Sequence, residues 1–280
     1  MGLSTRVALA AAVALGAIVP ASATHTWAGY HWAGNGTNVT IKVNRAITSQ
    51  WTTSVNASIA DWNASNELTL NAADVSANRR KCNPITGQIL VCNESYGNRG
   101  WLGIASIWLT SGHISQATTK LNDSYFNTAQ YNTAAWRALV ACQEIGHDFG
   151  LDHQDEAFGP PNLGTCMDYT NDPDGGGAYG PSNMHPNAHD YEELNIIYNH
   201  DDGFTTTAAA TDFGIREVGK PVPQITGDAG VGDTMAGWGR AIHRDAKGRP
   251  DAFAKDLGSG RKVITHVFWA LEAKGTEARE

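Results

Sequence analysis

The sequence predicts an α+β fold: a twisted mixed sheet packed on two helices, followed by a small β-rich extension. Three observations predict it. Strand-like runs over 39–43, 68–70, 89–92, 101–109 and 113–121 are interrupted by one helix-periodic stretch and followed by two more. Hydrophobic residues make up 41% of the chain and charged residues 17%, which is ordinary for a globular protein and contrary to disorder. The 280 residues suffice for one well-buried domain plus an appendage. A net charge of −8 weighs against nucleic acid or an anionic membrane surface as the partner.

In chain order, Arg6, the apolar run Val7 to Val19 and the small-residue site Ala21-Ser22-Ala23 read as a signal peptide over 1–23. Export, to a periplasm or beyond, is therefore expected. The run is too short to span a bilayer comfortably, so no membrane association is expected after cleavage. Val39 to Val43 alternates as a strand. From Ser49 to Asn63, Trp51, Val55, Ile59 and Trp62 recur at helical spacing. Leu68–Leu70 and Ile89–Cys92 are short strands. Trp101–Leu109, reading WLGIASIWL, is strongly β-prone, and Gly112 suggests a turn into an antiparallel neighbour over His113–Leu121. Asn132–Gly150 is the strongest helix, with Asn132 or Thr133 to cap it and Gly150 to end it. A loop rich in Gly, Pro, Asn and Asp covers Phe158–Asn187, and a further helix runs from about His189 to Asn199.

This gives a main domain over 24–203 and a linker over 204–236 that includes the run TTTAAAT. The β-rich region over 237–280 holds two or three strands turning at Lys247-Gly248 and Ser259-Gly260. An exported chain meets an oxidising environment, and four cysteines allow three pairings. Cys82 and Cys92 flank a short segment with Pro84 and Gly87, as in a stapled hairpin, which leaves Cys142 with Cys166. No CxxC pair is present.

The chemistry concentrates in Gln143-Glu-Ile-Gly-His147-Asp-Phe-Gly150-Leu-Asp-His153, and then in Cys166-Met167-Asp168-Tyr169. Positions 143 and 147 share one helix face, and Gly150 lets the chain turn so that His153 can return to the same point. Glu144 lies beside that face. The stretch resembles the long zinc signature of the metzincins, HExxHxxGxxH, with glutamine in place of the first histidine. Met167 and Tyr169 resemble the Met-turn of the same family. The layout is similar to bacterial matrixin-like secreted proteases, sharply over 143–169 and loosely over about 30–200.

The resemblance implies a secreted zinc-dependent endopeptidase. Gln143, His147 and His153 would bind Zn2+, Glu144 would act as general base, and Tyr169 would bind the oxyanion. His147 and His153 alone, helped by Tyr169 or Asp155, are an alternative ligand set. An extended peptide substrate would pair with an edge strand within Trp101–Leu109. A monomer is expected. No cysteine precedes Cys82, so latency through a propeptide cysteine is not expected. The alternative function is a catalytically inactive secreted binding protein of the same shape. Asp155, Glu156, Asp172 and Asp174 read as a solvated acidic loop in preference to a Ca2+ site. His113, His185, His189 and His200 read as surface or core residues, with His113 near the substrate cleft.

Overall fold

The computed structural model describes residues 24–36, 38–207 and 230–271; the expected signal segment and most of the expected linker lie outside them. The strands are β1 (Val39–Ala46), β2 (Leu68–Asp74), β3 (Gln88–Glu94), β4 (Trp101–Thr110), β5 (His113–Asn122), β6 (Arg240–Arg244), β7 (Pro250–Gly258) and β8 (Arg261–Trp269). The helices are α1 (Ser49–Trp62), α2 (Asp123–Phe126), α3 (Ala134–His147), α4 (Ala188–Tyr198) and α5 (Met235–Trp238). One eight-stranded sheet joins all the strands in the order β2-β1-β3-β5-β4-β8-β7-β6. Its β2-β1-β3-β5 half is parallel and the remainder antiparallel.

Helices α1 and α3 pack against each other, and α3 lies on β4 and β5. The periodic residues Trp51, Val55, Ile59 and Trp62 are all buried, and the Trp62 indole donates to the Cys142 carbonyl at 3.2 Å. The Thr133 side chain caps α3 by accepting the Trp136 amide at 3.1 Å. Two glycines shape the other end of this helix. At Gly146 a Cβ would meet Met167 Sδ at 2.7 Å and the Trp62 ring at 2.9 Å, so its absence lets the Met-turn lie under the helix. Gly150 has φ +96°, and a Cβ there would come within 1.8 Å of the Tyr30 carbonyl, so only glycine fits this turn. Both cysteine pairs form as expected, Cys82–Cys92 and Cys142–Cys166.

The C-terminal strands join the main sheet. Strand β8 runs antiparallel along β4, with Ala105 opposite His266 and Ile104 opposite Val267. The expectation that Trp101–Leu109 offers a free edge to substrate is therefore corrected: β5 pairs with one side of β4 and β8 with the other. The physical reason is apolar surface. Every residue of β4 except Thr110 is buried. Its Trp101, Ile104 and Trp108 form a second core with Tyr96, Trp238, Phe253, Val263, Val267 and Trp269. Burial of large aromatic side chains contributes about 1.5–3 kcal/mol each, which favours the docked hairpin over an exposed edge.

Candidate metal centre

Helix α3 ends at His147, and the turn at Gly150 brings His153 back beneath it. His147 donates from Nδ1 to the Leu151 carbonyl at 2.8 Å, which leaves the lone pair on Nε2. That Nε2 lies 3.2 Å from His153 Nε2. A third imidazole, absent from the sequence expectation, comes from β8. The His266 ring stacks on His147 with centroids 3.7 Å apart and 6° between planes, and stands edge-on to His153 at 5.0 Å. One nitrogen from each of the three lies within 4.8 Å of the others. Trp27 covers His266 edge-on at 3.9 Å.

All three histidines are buried, and neither nitrogen of His266 has a hydrogen-bond partner. Burial lowers the proton affinity of His147 and His266, and the neighbouring histidines lower it further, so both rings are neutral at neutral pH. Neutral, buried imidazoles are donors that zinc takes, but the lone pairs lie in the ring planes, so His266 must turn out of its stack on His147 to share an ion with it.

Gln143 sits one turn before His147 and is fully buried. Its Nε2 donates to the Cys166 carbonyl at 2.8 Å, and its Oε1 has no donor. The amide is thus anchored on the Met-turn, with its carbonyl oxygen uncommitted. Glu144 is also fully buried, against β4 at Gly103, where a Cβ would lie 2.6 Å from Oε1. No well-formed hydrogen bond reaches either carboxylate oxygen. Burial, and secondarily Asp148, push its proton affinity well above the usual carboxylate range. The backbone amides of Ala105 and Phe268 pull the other way.

Tyr169 lies beside the histidines, its ring 4.2 Å from His153 and stacked on Phe158 at 4.8 Å. Its hydroxyl donates to Asp251 of β7 at 3.3 Å, so it is engaged with the hairpin. Asp155 accepts the Ala157 amide and joins no group of converging metal donors among the described residues. The same is true of Asp172 and Asp174, whereas Glu156 gathers with Asp152 and His153, and also with His243 and Asp251. His185 pairs with Asp61 at 2.7 Å. His113 and His200, expected as ordinary surface or core residues, converge on Asp202 together with His31.

No protein-family model matches the chain, and no curated protein matches it. Among solved structures it is similar to high choriolytic enzyme 1, a hatching enzyme zinc-protease from Oryzias latipes. That match has 10% identity and a TM-score of 0.34, covering 61% of this chain and 95% of that one. It is also similar to myroilysin, with 12% identity and a TM-score of 0.34, covering 63% of this chain and 98% of that one. Both matches are too distant to bear on activity, which rests on the residues themselves.

Proposed function

We propose that the chain is an exported zinc-dependent endopeptidase held closed by its own C-terminal hairpin. The observation that carries this is the position of His266: it faces His147 and His153 from the strand that fills the place expected for substrate along β4. Four protein donors make a closed zinc site, and three with one place open make a catalytic one. His147, His153, the uncommitted Gln143 carbonyl and His266 supply the closed set; withdrawal of β8 leaves three. Zinc bound there supplies Lewis acidity and draws the pKa of a water toward about 7.

The chain's own residues account for the rest. With β8 displaced, the amides and carbonyls on that side of β4 are free to pair with an extended peptide. Solvent reaching Glu144 relieves the burial that raises its proton affinity, so the carboxylate can accept a proton from water and return it to the leaving amine. Breaking the contact with Asp251 frees the Tyr169 hydroxyl to donate to the oxyanion.

The test compares the full chain with one ending at residue 207, each loaded with zinc and assayed on an extended peptide. Hydrolysis by the shortened chain, lost again in its Glu144→Ala version, is the expected result. A second reading, a silent metal-holding module, is favoured by the burial of Glu144 and the aromatic core under β8. A folded, zinc-loaded short chain no more active than its Glu144→Ala counterpart decides for that reading.

A further inference from the structure

We propose a second zinc site, built from His31, His113, His200 and Asp202 and independent of the centre on α3. Asp202 Oδ1 lies 3.3 Å from His31 Nε2, 3.2 Å from His113 Nε2 and 3.1 Å from His200 Nε2. The Nε2 atoms of His31 and His200 are themselves 3.1 Å apart. Zinc bonds of about 2.0–2.1 Å in a tetrahedron put neighbouring donor atoms roughly 3.3 Å apart. These four of the six separations have that size.

With all three rings neutral, hydrogen bonding alone does not satisfy this arrangement. His31 donates from Nδ1 to the Gly29 carbonyl at 2.7 Å, so the neutral ring carries a lone pair on Nε2. That lone pair faces a carboxylate oxygen and another imidazole nitrogen. His200 Nε2 can place one proton on one of its two neighbours and not on both. His113 Nδ1 is buried without a partner, which leaves its tautomer unconstrained. Protonating all three rings would set three positive charges around one carboxylate. A divalent cation at the centre turns every one of these lone pairs into a ligand.

The surroundings are those of a ligand cage. The Gly29 carbonyl orients His31, and the Gly34 amide donates to Asp202 Oδ2 at 2.8 Å, leaving Oδ1 for the metal. Three imidazoles and one carboxylate suit zinc. The donors come from three segments: the stretch before β1, the start of β5 and the chain just after α4. With four protein donors and no open place the site is structural, a clamp over segments far apart in sequence.

The experiment measures zinc per chain after dialysis against a weak chelator. The full chain carrying His147→Ala and His153→Ala, which removes the first centre, is expected to keep about one zinc. Adding His200→Ala, the most exposed ligand, or Asp202→Asn is expected to weaken that binding by more than about tenfold. Cobalt(II) in place of zinc should give the visible bands of tetrahedral coordination, lost in the same variants. If the double variant unfolds, the parent is compared with His200→Ala alone, and the expected change is from two zinc ions to one. A folded double variant with no bound zinc, or retention unchanged by His200→Ala and Asp202→Asn, overturns the proposal. Neither result touches the reading of the first centre, which His147→Ala tests separately.

Discussion

The rings of His147 and His266 lie face to face, 3.7 Å apart and 6° from parallel, although one ends α3 and the other sits far along the chain in β8. The contact joins the sequence motif to the strand that covers it. His266→Ala in the full chain should therefore speed zinc loss to a chelator, because a buried donor is removed while the strand remains paired. Zinc retention equal to the parent's would show that His266 does not bind the metal.

Gln143→Ala should also shorten zinc retention, by less than His266→Ala, since an amide oxygen is a weaker donor than imidazole. The motivation is the uncommitted Oε1 of an amide anchored on Cys166. Chelator titration of the two variants side by side gives the order, and an unaffected Gln143→Ala protein removes the amide from the ligand set.

Glu144→Ala in the chain ending at residue 207 should lower peptide hydrolysis by at least about 10²-fold while zinc content stays near that of its parent. Loss of both together would instead make Glu144 a ligand or a structural residue.

The Cys142–Cys166 bond ties α3 to the Met-turn directly beside Gln143 and Met167. Replacing both cysteines with alanine should cost about 2–4 kcal/mol in denaturant unfolding. It should also hasten zinc release, because the floor of the site is no longer fixed to the helix. A variant as stable as the parent would leave the bond without a stabilising role.

Asp168 gives a pH dependence of definite sign. Burial raises its pKa from 3.8 to about 6, against the opposing donations of the Leu163 amide and the Asn183 side chain. A carboxyl whose folded pKa is raised binds more protons when folded. Its contribution to stability is full below pH 3.8 and is lost as pH rises through about 6. Across that window the parent's thermal midpoint should lose more, or gain less, with rising pH than that of Asp168→Asn, which lacks this component. Parallel curves for the two proteins would contradict the assignment.

Much of this architecture was legible in the residues. Period located α1 and α4, and period with caps located α3, because each carries its own apolar face. The motif pointed to His147 and His153, which the fold brings together, because their spacing is set by one helix and one glycine turn. His266 was not legible. Its neighbours Val263 to Trp269 read as a strand, but nothing local states which strand they pair with, and that pairing decides what His266 faces. One signal did point there: an unbroken run such as Trp101–Leu109 is how a strand covered on both faces and paired on both sides reads. Likewise His31, His113, His200 and Asp202 carry no common spacing, and only the folded chain brings them together.

The docking of β8 also decides how the molecule behaves in a crowd of its own kind. It moves the end of the sheet from β4, ten residues long and almost wholly buried, to β6, five residues long, irregular in register and bearing Arg240, His243 and Arg244. Short, bulged, positively charged edges resist templating a neighbouring chain, and long apolar ones invite it. The hairpin is thus a guard against aggregation as well as a cover. A chain stripped of it should scatter light increasingly with concentration as exposed β4 strands find one another, whereas the intact chain stays dispersed.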